Sequence, residues 1–308
     1  MTDAAVAAPR PGPLRRLAGT VAAAPGPSLA AVMLVLLLAY VIVVPLVTPN
    51  PFSFAGMSVL DALTPPIWKP DGDPRFPLGT DDQGRDLVAA MAYGLRTSIV
   101  VGVLSVLIGL VLGGGLGLLA GFTGGKTDAL IMRVADVQLA YPALLLAMII
   151  DGAARALGLH GGNAGTVIVV VSIGIAFWVQ YARTIRASVL VERDQDYVSA
   201  ARVTGRGTPA ILLLHILPNV MAPVLVVATV NLGVAIITEA TLSFLGIGIP
   251  VTQPSLGTLI RNGNNFLQSG EWWISIFPCI LLVLFVVSVN VLGDHLRDVY
   301  NPRLRTRS

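Results

Sequence analysis

Six apolar runs, each near twenty residues, divide the chain of 308 residues: 29–47, 99–121, 129–150, 165–182, 220–238 and 273–292. That length matches the roughly 20 residues a helix needs to cross a bilayer core about 30 Å thick. Backbone facing lipid must satisfy its own hydrogen bonds, so the runs form helices rather than open strands. The mean hydropathy is +0.79. Only 12% of residues are charged, about half of what a soluble domain carries. The expectation is an all-α polytopic membrane protein with about six transmembrane helices. Arg10, Arg15 and Arg16 precede the first run as they would in a signal peptide. The run is too long for a signal core, however, and no small-residue cleavage site follows, so it reads as an anchor. The lone cysteine, Cys279, lies inside the last run and leaves no disulfide possible within the chain.

Lysine and arginine set the orientation. With the N-terminus in the cytoplasm, fourteen of the twenty basic residues fall inside and six outside. Six spans then return the C-terminus to the cytoplasm, where Arg297, Arg303, Arg305 and Arg307 cluster. The basic balance therefore belongs to membrane topology. Nucleic-acid binding would need a basic soluble face with aromatics, and the sequence offers none.

The chain divides into a cytoplasmic tail (1–28), a first transmembrane helix (29–47), an extracytoplasmic loop (48–96), a transmembrane domain (97–293) and a cytoplasmic tail (294–308). The outer loop holds Asp61, Asp71, Asp73, Asp81, Asp82 and Asp86, which either meet a basic partner or keep the loop solvated. Residues 124–128 form a tight inner turn, 151–164 a short outer loop and 239–272 a longer outer connection. In the second run Gly109, Gly113, Gly117 and Gly121 recur every four residues. Such a stripe lets another backbone approach closely, within this bundle or across a subunit interface.

Catalytic motifs do not assemble. Residues 120–127, AGFTGGKT, imitate a phosphate loop, but they close one span and open the next, with Ala120 where a glycine belongs. They read as a turn, with Lys126 in the cytosol and Asp128 capping the next helix. His160, His215 and His295 have no second ligand at helical spacing. The expectation is no catalytic centre, cofactor or metal in this chain. Near the end of the fifth run stand Asn231, Thr238 and Glu239, candidates for a translocation path. A carboxyl group at membrane depth is either functional or paired; the alternative places Glu239 at the outer interface as a turn cap. Arg133 and Asp136, one turn apart, are expected to pair.

Between the fourth and fifth runs lies a polar, basic island, 181–219. Arg183 and Arg186 finish the fourth span, where cations snorkel to water. Asp194 and Asp196 precede a short amphipathic helix over 197–203, stopped by Gly205. Pro209 opens a second helix at its first turn, and Ile211, Leu212 and Leu214 lie along the membrane before Pro218 enters the fifth span. Ala200 and Ala201 are small and exposed, suited to entering a groove; the competing reading is a helix that only lies on lipid.

Residues 199–205 and 215–219, SAARVTG…HILPN, resemble the loop of permease subunits in ATP-binding-cassette importers. There Glu-Ala-Ala is followed after three residues by Gly, and after nine more by an Ile-x-Leu-Pro ending. Ala200, Ala201, Gly205, Leu217 and Pro218 match. Ser199 replaces the glutamate and His215 the isoleucine, which removes one charge from the docking surface. FPLGTDDQGRD (76–86), GFTGGKTDALIMRVADVQLAYPALLLA (121–147), EATLSFLGIG (239–248) and NVLGDHLRDVYNPR (290–303) are similar to the C-type membrane subunit of dipeptide and oligopeptide importers. The resemblance spans about 77–303.

That resemblance implies a type I importer permease fold in a bacterial plasma membrane. It also implies a second homologous permease subunit, two cytosolic ATPase subunits holding ATP and magnesium, an extracytoplasmic substrate-binding protein and a peptide substrate. Tyr197, Ala200, Ala201, Arg202, Gly205, Arg206, His215 and Pro218 would form the ATPase-coupling site, a lever that turns the bundle. Nickel-complex or glutathione import is the neighbouring alternative. An ATP-independent secondary transporter is the alternative from another class, although it would place more polar groups at the midplane. A membrane-anchored scaffold or signalling protein is a third, but the chain lacks a sizeable soluble domain to carry a signal.

Overall fold

The computed structural model describes residues 25–53, 56–159, 163–249 and 253–300. The tails 1–24 and 301–308, with their arginines, lie outside the described residues, as does His160. The described residues are helical apart from turns and one isolated bridge, Thr80 to Asp86. Ten helices follow in order: α1 Pro25–Val47, α2 Leu87–Thr123, α3 Gly125–Leu139, α4 Ala143–Ala156, α5 Asn163–Glu192, α6 Asp196–Val203, α7 Thr208–Ile211, α8 Leu217–Phe244, α9 Leu256–Asn264 and α10 Trp273–Tyr300. A π-helical turn, Leu212–Ile216, joins α7 to α8.

Among the described residues, five helices are long and apolar enough to cross a membrane, and the α3–α4 pair makes a sixth if it counts as one broken span. The third apolar run, 129–150, is thus not one straight helix. It bends by 94° between α3 and α4. The cause is Pro142, which has no N–H to give the ladder and pushes the residue before it out of helical geometry. Gln138 anchors the break by donating to the Ile175 carbonyl at 2.8 Å and accepting from the Trp178 indole at 2.6 Å. Two further boundaries move. Residues 87–96 are the first turns of α2 rather than loop, capped by the Asp86 carboxylate on the Val88 and Ala89 amides. Residues 208–217 continue into α8 as one rod, Thr208–Phe244, instead of lying along the membrane. Pro218 widens that rod into the π turn because it has no N–H to donate to the i−4 carbonyl and its ring crowds that oxygen.

The glycine stripe of α2 packs inside this bundle, against α5. A Cβ at Gly113 would stand 2.1 Å from the Trp178 carbonyl oxygen, and one at Gly117 would stand 2.6 Å from that of Ala182. Close backbone contact of this kind is how helices gain dispersion energy in lipid, where no hydrophobic force separates them from the tails. One core joins α2, α5, α6 and α8 around Phe177, Tyr181, Ile185 and Val189. A second joins α1, α2, α9 and α10 around Leu87, Leu95, Leu256 and Phe285.

Candidate functional site

The island folds into a compact knuckle at one end of the bundle. α6 has eight residues, fewer than an isolated helix needs, so tertiary contacts must hold it. Asp196 in its first turn and Arg202 in its last suit the helix dipole. Its stop is a Schellman motif: the Gly205 amide donates to the Arg202 carbonyl at 3.0 Å and the Arg206 amide to that of Ala201 at 3.1 Å. Gly205 sits at φ +76°, where a side chain is strained.

The inner face of α6 is Val198 and Ala201, both buried in the first core. Full burial of a valine contributes about 1.5–3 kcal/mol. Ala201 is therefore not part of an exposed pair: it faces the bundle, and only Ala200 faces out. The i, i+3 spacing that buries Val198 carries Ala201 with it. The outer face is Ser199, Ala200, Arg202 and Val203, with Val203 at 88% exposure. It is a small-residue ridge with no bulky side chain over its centre.

Three braces fix this knuckle. The Tyr197 hydroxyl donates to Glu192 at the end of α5, at 2.6 Å, and accepts from Asn219 at the start of α8, at 3.1 Å. Burial and then the Glu192 carboxylate push the Tyr197 phenol above its ordinary range, so it remains a donor. The Arg202 guanidinium lies 5.3 Å from the Phe122 ring at the end of α2. Arg193 donates to the Gly121 carbonyl at 2.9 Å. His215 sits half-buried on the π turn, where its carbonyl accepts from Asn219. Pro218 and Arg206 are exposed.

Charge pairs ring the same end, but differently from the expectation. Asp136 pairs with Arg183 of α5, at 2.5 Å, rather than with Arg133. Asp128 does not cap α3. It takes Arg186 through both oxygens, at 2.5 and 2.6 Å. In each case a helix packed alongside brings a stronger partner than the next turn does.

Residues 231, 238 and 239 do not share one environment. Asn231 and Glu239 are buried on the inner face of α8, whereas Thr238 lies partly exposed and bonds back to the Val234 carbonyl. Glu239 is fully buried. Ser98 of α2 and Ser243 of α8 each donate to it at 2.7 Å, and Ser255 adds a third side-chain bond. The Leu256 amide donates to Ser98 at 3.3 Å, which ties α9 into the cluster. The sequence marks Glu239 but shows 253–264 only as part of a longer connection. The Ser255–Thr258 capping box that opens α9 was the available signal.

The segment between α1 and α2 is also built rather than loose. Asp81 and Arg85 are both buried and pair at 3.7 Å. The Trp273 indole donates to the Thr80 carbonyl at 3.2 Å, and Lys69 stands 4.5 Å from the same ring. Asp61 and Asp73 share Arg75.

A bundle of apolar spans with an irregular end opposite the braced knuckle defines a multi-span membrane protein. Its fold is similar to that of a solved chain of the MetNI methionine ABC transporter in an inward-facing conformation (TM-score 0.53, 18% identity, covering 68% of this chain and 94% of that one). The chain belongs to the family of binding-protein-dependent transport system inner membrane components, whose model matches residues 113–306. It is 40% identical over 243 residues to the di/tripeptide transport system permease protein DppC of Pseudomonas aeruginosa, covering 79% of this chain and 77% of that one. It is 38% identical to the dipeptide transport system permease protein DppC of Escherichia coli K12, covering 79% and 78%.

Proposed function

We propose that this chain is the C-type permease subunit of an ATP-binding-cassette importer for di- and oligopeptides in a bacterial inner membrane. It pairs with a second, homologous permease around a central path. Two cytosolic ATPases bind and hydrolyse ATP with magnesium, and an extracytoplasmic binding protein delivers the peptide. The chain itself carries no catalysis. Its N- and C-termini and α6 are cytoplasmic.

The observation that carries this reading is the knuckle itself. A short helix, too small to stand alone, is locked from behind by Val198, Ala201 and the Tyr197 brace, and its front is a ridge of small residues. Such a ridge fits a cleft on an ATPase. Because the braces reach α2, α5 and α8, a push on α6 is delivered to three spans at once. Uptake then couples to ATP through the difference in fit between two ATPase states. The names of the relatives supply the peptide.

Ala200→Arg on the ridge is the test, in the full complex in proteoliposomes. The expected result is loss of ATPase co-purification and of peptide uptake, with thermal stability unchanged. Gly205→Pro gives the same loss by removing the only backbone geometry that ends α6 there. Normal co-purification and normal uptake in both variants would sink the reading.

A further inference from the structure

We propose that the cavity walled by Arg85, Arg155 and Arg261, at the end of the bundle opposite α6, is a carboxylate site that takes the C-terminal carboxylate of a short peptide entering the path. This rests on the importer reading above and deepens it.

The three arginines come from far apart in the chain. Arg85 precedes α2, Arg155 lies in the last turn of α4 and Arg261 in the last turn of α9. They line one cavity of about 230 Å³ together with Ser243, Thr258 and Asn262. That is smaller than the roughly 300–1,000 Å³ of sites that enclose a whole drug-sized ligand. It accepts one end of a peptide rather than all of it.

The charge balance selects the ligand. Asp81 pairs with Arg85 at 3.7 Å, and Asp151 with Arg155 at 2.6 Å. Arg261 has no ion pair or hydrogen bond among the described residues. Among these three arginines and two aspartates one positive charge is left over, which matches a single carboxylate better than a dianion. The Arg85 Nε is buried and lacks an acceptor, and buried donors of this kind are ordinarily satisfied. Two other wall residues bring no free donor. The Ser243 hydroxyl donates to Glu239 and the Thr258 hydroxyl to the Ser255 carbonyl. Recognition therefore falls to the guanidinium groups, whose planar forks suit a carboxylate, and to the Asn262 amide.

The test places one cysteine in the wall, Leu159→Cys with Cys279→Ser, in the assembled complex in lipid nanodiscs. The expected result is that an anionic methanethiosulfonate labels it about ten-fold faster than a cationic one, after normalising to free cysteine. Glycylglycine at millimolar concentration slows the labelling, and its C-terminal amide does not. Adding Arg261→Gln removes both effects, and Arg261→Lys keeps the charge preference. Equal rates for the two reagents, or no protection by glycylglycine, overturn the proposal. Protection by the peptide-free binding protein alone overturns it too, because the carboxylate would then belong to a docked protein surface. Labelling requires no transport. A complex with these signatures that takes up no peptide overturns the importer reading and leaves the anion site standing.

Discussion

The two ends of this bundle differ in how deeply they bury charge. Around α6 the Arg183–Asp136 pair is open to water, its side chains 49% and 60% exposed, and the Arg186–Asp128 pair is only partly buried. At the far end Arg85 and Asp81 are each only 3% exposed, and the Glu239–serine cluster is sealed. Exposed pairs are worth about 0–1 kcal/mol and can exchange partners cheaply. Breaking a buried pair strands a charge and costs about 3–5 kcal/mol. The physics therefore makes the α6 end the part that can rearrange, and the opposite end a fixed frame.

Arg85→Ala is the most severe way to probe that contrast. It leaves Asp81 buried without its cation, and the expected loss is about 3–5 kcal/mol, read as a large drop in the unfolding temperature of the purified complex. Arg183→Ala at the other end is expected to cost less than about 1 kcal/mol. Equal shifts for the two would erase the distinction between frame and moving end.

A second pair of variants sharpens the contrast within α6. Ala201→Arg drives a long cation into the core and is expected to cost about 1–3 kcal/mol by overpacking alone. Ala200→Arg, one residue away, is expected to stay within about 0.5 kcal/mol of the parent, as surface changes do. Thermal unfolding separates them, and similar losses would mean that the inner and outer faces of α6 are wrongly assigned. At the fixed end, Glu239→Ala leaves the Ser98 and Ser243 hydroxyls without their acceptor, for about 1–3 kcal/mol. Proteolysis of the 253–264 segment is the readout, because Ser98 and Ser255 tie α9 to this cluster. Unchanged protection of α9 would show that the carboxylate does not hold it.

What the sequence made legible follows from how far each signal reaches along the chain. Apolar runs announced the spans, because a span is contiguous. The four-residue recurrence from Gly109 to Gly121 announced a packing stripe, and Gly205 announced a helix end. The failures are contacts between distant residues. Asp136 has Arg133 one turn away, yet Arg183, 47 positions on, takes it. Ala201 looks like the twin of Ala200, and only the position of Val198 against the core tells them apart. Pro142 is a breaker in plain view, but the apolar run around it masks the bend. The fixed end was hidden more deeply. Glu239 stands out in the sequence as a carboxyl at membrane depth, but Thr80, Arg85, Ser98 and Ser255 are ordinary polar residues along the chain, and their enclosure exists only after α2, α8, α9 and α10 close around them.

The gentlest probe is the Tyr197 hydroxyl. Tyr197→Phe keeps the ring and removes the link between Glu192 and Asn219, at an expected cost of about 0.5–1.5 kcal/mol. That is too little to unfold the bundle and enough to loosen α6, so hydrogen exchange across 196–203 should accelerate by about two- to ten-fold, given that 1.4 kcal/mol is a factor of ten. The same bond carries a pH signature. Burial and Glu192 hold the Tyr197 phenol above its ordinary range, so the bond's contribution is fully present below the unfolded value near 10 and is lost as pH rises through the folded value. After correction for intrinsic exchange, protection of α6 should be level from neutral pH to about 10, and fall beyond it only when the hydroxyl is present. If Tyr197→Phe shows the same alkaline fall, the brace lies elsewhere, and the cation over Phe122 becomes the contact that holds α6 to the frame.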